Sequence, residues 1–128
     1  FNVDLTQGPC VIKRIRGCGA GCEYVAITPE GDIYPCHQFV GNEDYKLGSL
    51  YDGTFDKELS GRFAGLNIYT REECRDCWAR FYCSGGCSAS NLLVNGDIKK
   101  PHRVGCELER KRLECAIALR AIAAGMAE

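Results

Sequence analysis

The feature that most constrains this chain is its cysteine content: ten among 128 residues, with four inside the stretch "CRDCWARFYCSGGC". There Cys74, Cys77, Cys83 and Cys87 follow C-x2-C-x5-C-x3-C, while Cys10, Cys18, Cys22, Cys36, Cys106 and Cys115 lie outside it. That density sits at the edge of the roughly 8–10% that marks a disulfide or metal scaffold. Bonds to sulfur are therefore expected to share with an apolar core the task of fixing the fold.

Composition removes several classes of partner. A formal charge of −1 and a pI near 6.2 leave no basic footprint, which argues against nucleic acid or an anionic membrane surface. No apolar run nears the roughly 18 residues of a membrane span, and no secretory-signal pattern opens the chain. The chain begins at Phe1 and its sole methionine is Met126, so it is expected to be cut from a longer product. Removal of a signal peptide and excision of a domain imply opposite redox compartments, and the cysteine pattern has to decide between them.

Along the chain, residues 1–17 lack clean periodicity and read as a lead-in segment. "EYVAITPEGDIYPC" places two Tyr/Val/Ile-rich runs around Pro29-Glu30-Gly31-Asp32, a β-hairpin signal. "KLGSLYDG" adds a short extended piece, and "FDKELSGRFAGL" predicts a helix with acidic residues early and Gly65 near its end. Thr70 and Glu73 match a capping box, which puts Cys74 and Cys77 at the start of a short helix. "SASNLLVNG" predicts another short helix closed by Asn95-Gly96. A long helix over 104–125, with Glu107 and Lys111 paired at i,i+4 spacing, ends the chain. The fold class expected is α+β: a small loop-rich cluster-binding domain with a β-hairpin, short helices and a long C-terminal helix packing across both cysteine groups. Residues 1–128 form one domain, with a binding core over 18–106.

Three chemistries compete for the thiols. Disulfides suit an even cysteine count, but a C-x2-C pair grips one metal more readily than it bridges to itself. Zinc suits Cys74, Cys77, Cys83 and Cys87 as one tetrahedral site, but it strands Cys106 and leaves Cys18, Cys22 and Cys36 one ligand short. Two 4Fe–4S clusters use all eight if the last cysteine of the dense run crosses to its neighbour, as in two-cluster ferredoxins. Cys74, Cys77, Cys83 and Cys106 then hold one cluster, and Cys18, Cys22, Cys36 and Cys87 the other. Glycines in "GCGAGC" and "CSGGC" permit close backbone approach.

The pattern C-x12-G-x4-C from Cys18 through Gly31 to Cys36, then the dense run, then Cys106, resembles the seven-cysteine signature of the SPASM domain over about residues 10–115. Cys22 is an additional cysteine of the kind that completes the first cluster. SPASM domains are C-terminal extensions of radical S-adenosylmethionine enzymes. "CGAGCEYVAITPEGDIYPCHQFVG" and "CWARFYCSGGC" are most similar to the SCIFF maturases, which form thioether links in six-cysteine ribosomal peptides; sulfatase-maturing enzymes share much of the pattern. The resemblance implies an upstream barrel domain binding S-adenosylmethionine, a precursor peptide as substrate, electron transfer through the auxiliary clusters, and a cytoplasmic location. It also implies no catalytic residue here, because the C-x3-C-x2-C motif of the barrel is missing: Val25 stands where a third cysteine would follow Cys18 and Cys22. A structural zinc-binding interaction module and a free-standing two-cluster carrier are the rival readings.

Other residues receive plainer readings. Cys10 and Cys115 read as small buried hydrophobes, Trp78, Phe81 and Tyr82 as core, and His102 as loop. His37 stays open between a donor toward cluster sulfur and an ordinary partly exposed histidine. Lys99-Lys100 and Arg110-Lys111-Arg112 read as solvated faces.

Overall fold

In the computed structural model, which describes Leu5, Gly8 and residues 10–125, four short strands form an antiparallel sheet in chain order. The expected hairpin is β1 (Ala26–Ile27) and β2 (Asp32–Tyr34), in register Ala26 to Tyr34 and Ile27 to Ile33. Gly31 takes φ +80° at the turn and donates its N–H to the Thr28 carbonyl at 2.9 Å, a conformation in which a β-carbon would be strained. "KLGSLYDG" and the residues after it supply β3 (Gly48–Ser49) and β4 (Thr54–Phe55). Lys46 pairs with Asp32 at 2.8 Å, and the Tyr34 hydroxyl donates to Glu43 at 3.0 Å, tying the sheet to the loop that follows it.

The lead-in segment is more regular than its sequence suggests: Val11–Arg16 form helix α1, although Val11 and Ile12 stay exposed. Residues 1–4, 6, 7 and 9 of that segment lie outside the described residues. Helix α2 (Lys57–Ala64) starts as expected, with the Asp56 carboxylate accepting from the Leu59 N–H at 2.8 Å. Helices α3 (Glu72–Arg75) and α4 (Arg80–Cys83) are single turns, α5 (Ser88–Asn95) ends at Gly96 with φ +69°, and α6 spans Arg103–Ala123. No helix among the described residues is long and apolar enough to cross a membrane.

The core lies between the sheet, α2 and the start of α5. Phe39, Leu47, Phe63, Leu66 and Ile98 are buried in it, with Phe39 edge-on to Phe63 at 5.4 Å between ring centroids. Close packing against this core also shapes the first cysteine loop. A β-carbon on Gly21 would come within 2.7 Å of the Phe63 ring, and Ser60 on α2 donates to the Gly21 carbonyl at 2.7 Å.

Two local expectations fail for identifiable reasons. Thr70 does not cap α3: Arg71 is the N-cap, and the Thr70 hydroxyl donates instead to the Gly65 carbonyl at 2.8 Å. On α6, Glu107 pairs with Arg103 and Lys111 with Glu114, so the 107–111 pair is not made. Each of those residues has an alternative partner within one helical turn, and exposed pairs of this kind are nearly isoenergetic.

Candidate metal centre

Cys74, Cys77, Cys83 and Cys106 line one cavity and Cys18 and Cys22 a separate cleft, while Cys83, Cys87 and Cys106 share a third space about the turn after α4. Ser84 takes φ 58°, Gly85 φ 87° and Gly86 φ 73°. Three successive residues in the left-handed region reverse the chain within a few ångströms, which Gly does without steric cost. Cys83 is thereby left at the end of α4 on one side, while Cys87 becomes the N-cap of α5 on the other.

On the first side, Cys74 from α3, Cys77 just after it, Cys83 from α4 and Cys106 from α6 line a single cavity of about 480 Å³. That space is many times the roughly 30 Å³ occupied by one water. Cys74 is buried, and burial pushes its thiol up to about 11, with Cys106, Cys83 and Cys77 adding to the rise and Arg71 opposing it. Burial likewise raises the Cys83 and Cys106 thiols. Cys74, Cys83 and Cys106 repel one another as thiolates in a site that penalises charge, and a cationic group among them would let them ionise together.

On the second side, Cys18 and Cys22 flank a tight loop in which the Gly19 carbonyl accepts from the N–H groups of Cys22, Glu23 and Tyr24. Glu23 anchors the loop to α1 through Lys13 at 2.8 Å and Arg16 at 3.5 Å, and Arg16 donates to the Ala64 carbonyl of α2 at 2.8 Å. Cys18 and Cys22 share a narrow cleft with Gly86, Ser88 and Arg71. Cys36 is buried; burial raises its thiol, with Cys87 and Cys18 contributing further. Cys87 behaves in the opposite sense. Burial is the largest influence and would raise it, but the Ser90 N–H and hydroxyl, the Ala89 N–H and the Gln38 amide together hold it below the ordinary thiol value. A thiolate at a helix N-terminus is stabilised in this way.

Helix α6 reaches the first group and only the Cys87 end of the second, rather than packing across the whole of both as expected. It brings Cys106 to the first cavity, and through Cys106, Glu109 and Arg112 it lines an adjoining cavity of about 370 Å³ that reaches Cys87, but it lines no part of the Cys18–Cys22 cleft.

Several readings of single residues are corrected here. Cys10 is exposed, and Cys115 is half-buried beside an exposed face carrying Leu108 and Leu119, because α6 turns Leu113 and Ala116 inward instead. Trp78, Phe81 and Tyr82 are exposed rather than core, since α4 is a single turn lying at the surface. Arg110 and Lys100 line the first cavity instead of forming a purely solvated face. His37 is exposed, and the neighbouring Gln38 reaches Cys87. His102 is the residue just before α6, with its N–H donating to the Asn91 side chain at 2.9 Å.

Two functional candidates carry no signal in the sequence: the Nε–H groups of Arg71 and Arg80, buried and without a hydrogen-bond acceptor. Arg80 lines the first cavity and Arg71 the cleft of Cys18 and Cys22. Donors of this kind suit the sulfide and thiolate of an iron–sulfur cluster, so the residues present fit such a group. No disulfide joins any of the ten cysteines. Among the described residues no three of His, Cys, Asp or Glu converge closely enough to grip one metal ion.

Comparison with known proteins points the same way. Residues 18–78 match the family model of the SPASM domain, an iron–sulfur cluster-binding domain. The chain is 32% identical over 101 residues to an uncharacterized protein of Archaeoglobus fulgidus, covering 76% of this chain and 24% of that protein. It is 29% identical over 87 residues to the serine-type anaerobic sulfatase-maturating enzyme of Klebsiella aerogenes, covering 66% and 20%. It is 28% identical over 102 residues to the PqqA peptide cyclase of Xanthomonas axonopodis pv. citri, covering 74% and 27%. The chain thus spans about a quarter of the length of the relatives it matches.

Proposed function

Because residues 18–78 match the family model of the SPASM iron–sulfur cluster-binding domain, we propose that this chain holds two 4Fe–4S clusters beside a radical S-adenosylmethionine barrel in a peptide maturase. Cys74, Cys77, Cys83 and Cys106 hold one cluster; Cys18, Cys22, Cys36 and Cys87 hold the other. The observation that carries the reading is the convergence of Cys74, Cys77, Cys83 and Cys106, from three helices and the turn between two of them, on one cavity far larger than a single ion requires. Residues 18–106 act as the binding core and 1–128 as one domain.

When bound, such clusters supply one-electron transfer at potentials set by ligands, charge and solvent exposure. This chain's residues do the rest. Burial of Cys74 limits water access to the first centre, and the loop at Cys18 and Cys22 presents exposed sulfur where a peptide thiol can approach. Were Cys18 or Cys22 not to bind the cluster, the remaining cysteines of this set would hold it with room for a substrate thiol, which such a site would orient and activate. The names of two relatives, a sulfatase-maturating enzyme and a peptide cyclase, support a peptide or protein substrate. The likeness of the two cysteine segments to SCIFF maturases supports thioether formation, in the cytoplasm.

Iron, acid-labile sulfide and zinc content, measured with the ultraviolet-visible spectrum after anaerobic reconstitution, tests the reading. About eight irons per chain, with a broad charge-transfer band, is the expected result. One or two tightly held zincs with no iron uptake overturns it in favour of a zinc-stabilised interaction module.

A further inference from the structure

Arg71 is only 4% exposed, a rare setting for a guanidinium. Its position is over-determined. Nη1 donates to the Ile98 carbonyl at 2.6 Å and the Lys99 carbonyl at 2.9 Å, and Nη2 to the Ser88 hydroxyl at 2.9 Å. The Arg71 carbonyl accepts the Cys74 N–H at 3.0 Å, while Ser88 directly follows Cys87. One side chain therefore ties the backbone that carries Cys74 to the element that carries Cys87. Gly85 makes room for it: a β-carbon there would lie 3.0 Å from Arg71 Cδ and Nε.

No carboxylate forms an ion pair with this cation among the described residues, and its Nε–H has no acceptor. A buried charge without compensation is costly. Burial disfavours the charged form, and the groups that offset burial are Cys74, Asp97, Cys83 and Cys87, in that order. Three of the four are cysteines, drawn from both sets, and Arg71 also lines the cleft of Cys18 and Cys22. Arg80, the other arginine with an unpaired buried Nε, lines the cavity of the Cys74 set but not that cleft.

We propose that Arg71 is the shared counter-charge of the two cysteine sets, a positioning residue that joins the elements carrying them and raises the reduction potential of both centres. The sign follows from electrostatics: reduction adds negative charge to a centre, and a fixed cation nearby stabilises the reduced form more than the oxidised one. In a poorly solvated site the effect is weakly screened by salt.

This inference rests on the two-cluster reading, and its test keeps the two separable. The chain and its Arg71→Lys, Arg71→Met and Arg80→Met variants are reconstituted with iron and sulfide, analysed for iron, and titrated with a reductant while the electron paramagnetic resonance signals of the two centres are followed. Absence of iron uptake by the unsubstituted chain defeats the cluster reading itself. With iron bound, Arg71→Met is expected to lower both potentials by at least a tenfold change in the reduction equilibrium, about 59 mV for one electron. Arg71→Lys, which keeps the charge, restores most of the difference, and Arg80→Met moves the centre of the Cys74 set alone. Unchanged potentials in Arg71→Met at full iron content overturn the proposal. So does equal loss of iron and helix content in Arg71→Met and Arg71→Lys, which would make Arg71 a scaffold residue whose charge is immaterial.

Discussion

The side-chain amide of Gln38 donates to the sulfur of Cys87 at 3.7 Å, across 49 positions of sequence. It sits one residue beyond the exposed His37 and two beyond the buried Cys36, so the 3-10 turn that follows Cys36 delivers a donor to the partner cysteine. The amide is one of four groups that hold the Cys87 thiol below its ordinary value. Removing it in Gln38→Met is expected to move that thiol upward and slow its alkylation at neutral pH in the metal-free chain. The alkylation rate of Cys87 against pH, followed by mass spectrometry of the modified peptide, checks this; an unmoved profile would assign the effect wholly to the Ser90 and Ala89 donors.

Cysteine replacements should divide by the cavity each sulfur faces. Cys74→Ser is expected to cost about half of the bound iron while the centre of the Cys18 set persists, and Cys87→Ser to do the converse. Cys10→Ser and Cys115→Ser should leave iron at the level of the unsubstituted chain. Iron and sulfide analysis of the four reconstituted variants is the measurement.

Burial of the thiols has a consequence for stability that runs opposite to acid denaturation. Cys74 ionises at about 11 in the folded chain against an ordinary value of 9.0. A group whose folded value is raised contributes stability that is fully present below the unfolded value and lost as pH rises through the folded one. The metal-free chain should therefore weaken between about pH 9 and 11, by as much as roughly 3 kcal/mol from this group alone. Denaturant midpoints across that window should fall less steeply in Cys74→Ala than in the unsubstituted chain.

The two faces of α6 should respond very differently to truncation. Leu113 is fully buried and Leu108 is 67% exposed. Leu113→Ala is expected to destabilise by about 2–5 kcal/mol, and Leu108→Ala to stay within about 0.5 kcal/mol. Denaturant unfolding of the reconstituted variants separates these outcomes.

Much of the fold was legible because its signals are local. The hairpin about Pro29-Glu30-Gly31-Asp32, the helix α2 that ends at Gly65 and the Gly96 stop of α5 each rest on a few adjacent residues whose backbone preferences agree with the final structure. The failures are equally physical. The capping box at Thr70 lost to a competing acceptor at Gly65, and the Glu107–Lys111 pair lost to partners of similar energy. The aromatic residues of "CWARFYC" were expected inside because helical spacing suggests a buried face, but a one-turn helix has no second turn to define one.

The sequence by itself determined which atoms are available for binding and how they are grouped along the chain: eight cysteines at spacings that suit two clusters, with glycines between them. Those are covalent facts, unaffected by packing. Only the tertiary structure decided that Cys106 joins Cys74, Cys77 and Cys83, 23 to 32 residues earlier, in one cavity, that the turn at Ser84-Gly85-Gly86 leaves Cys83 at the end of α4 and Cys87 at the start of α5, and that a buried arginine lines the cleft of Cys18 and Cys22. Nothing in local propensity could specify these, because each depends on surfaces far apart in sequence being brought together, and the cost of burying the Arg71 charge exists only once they have been.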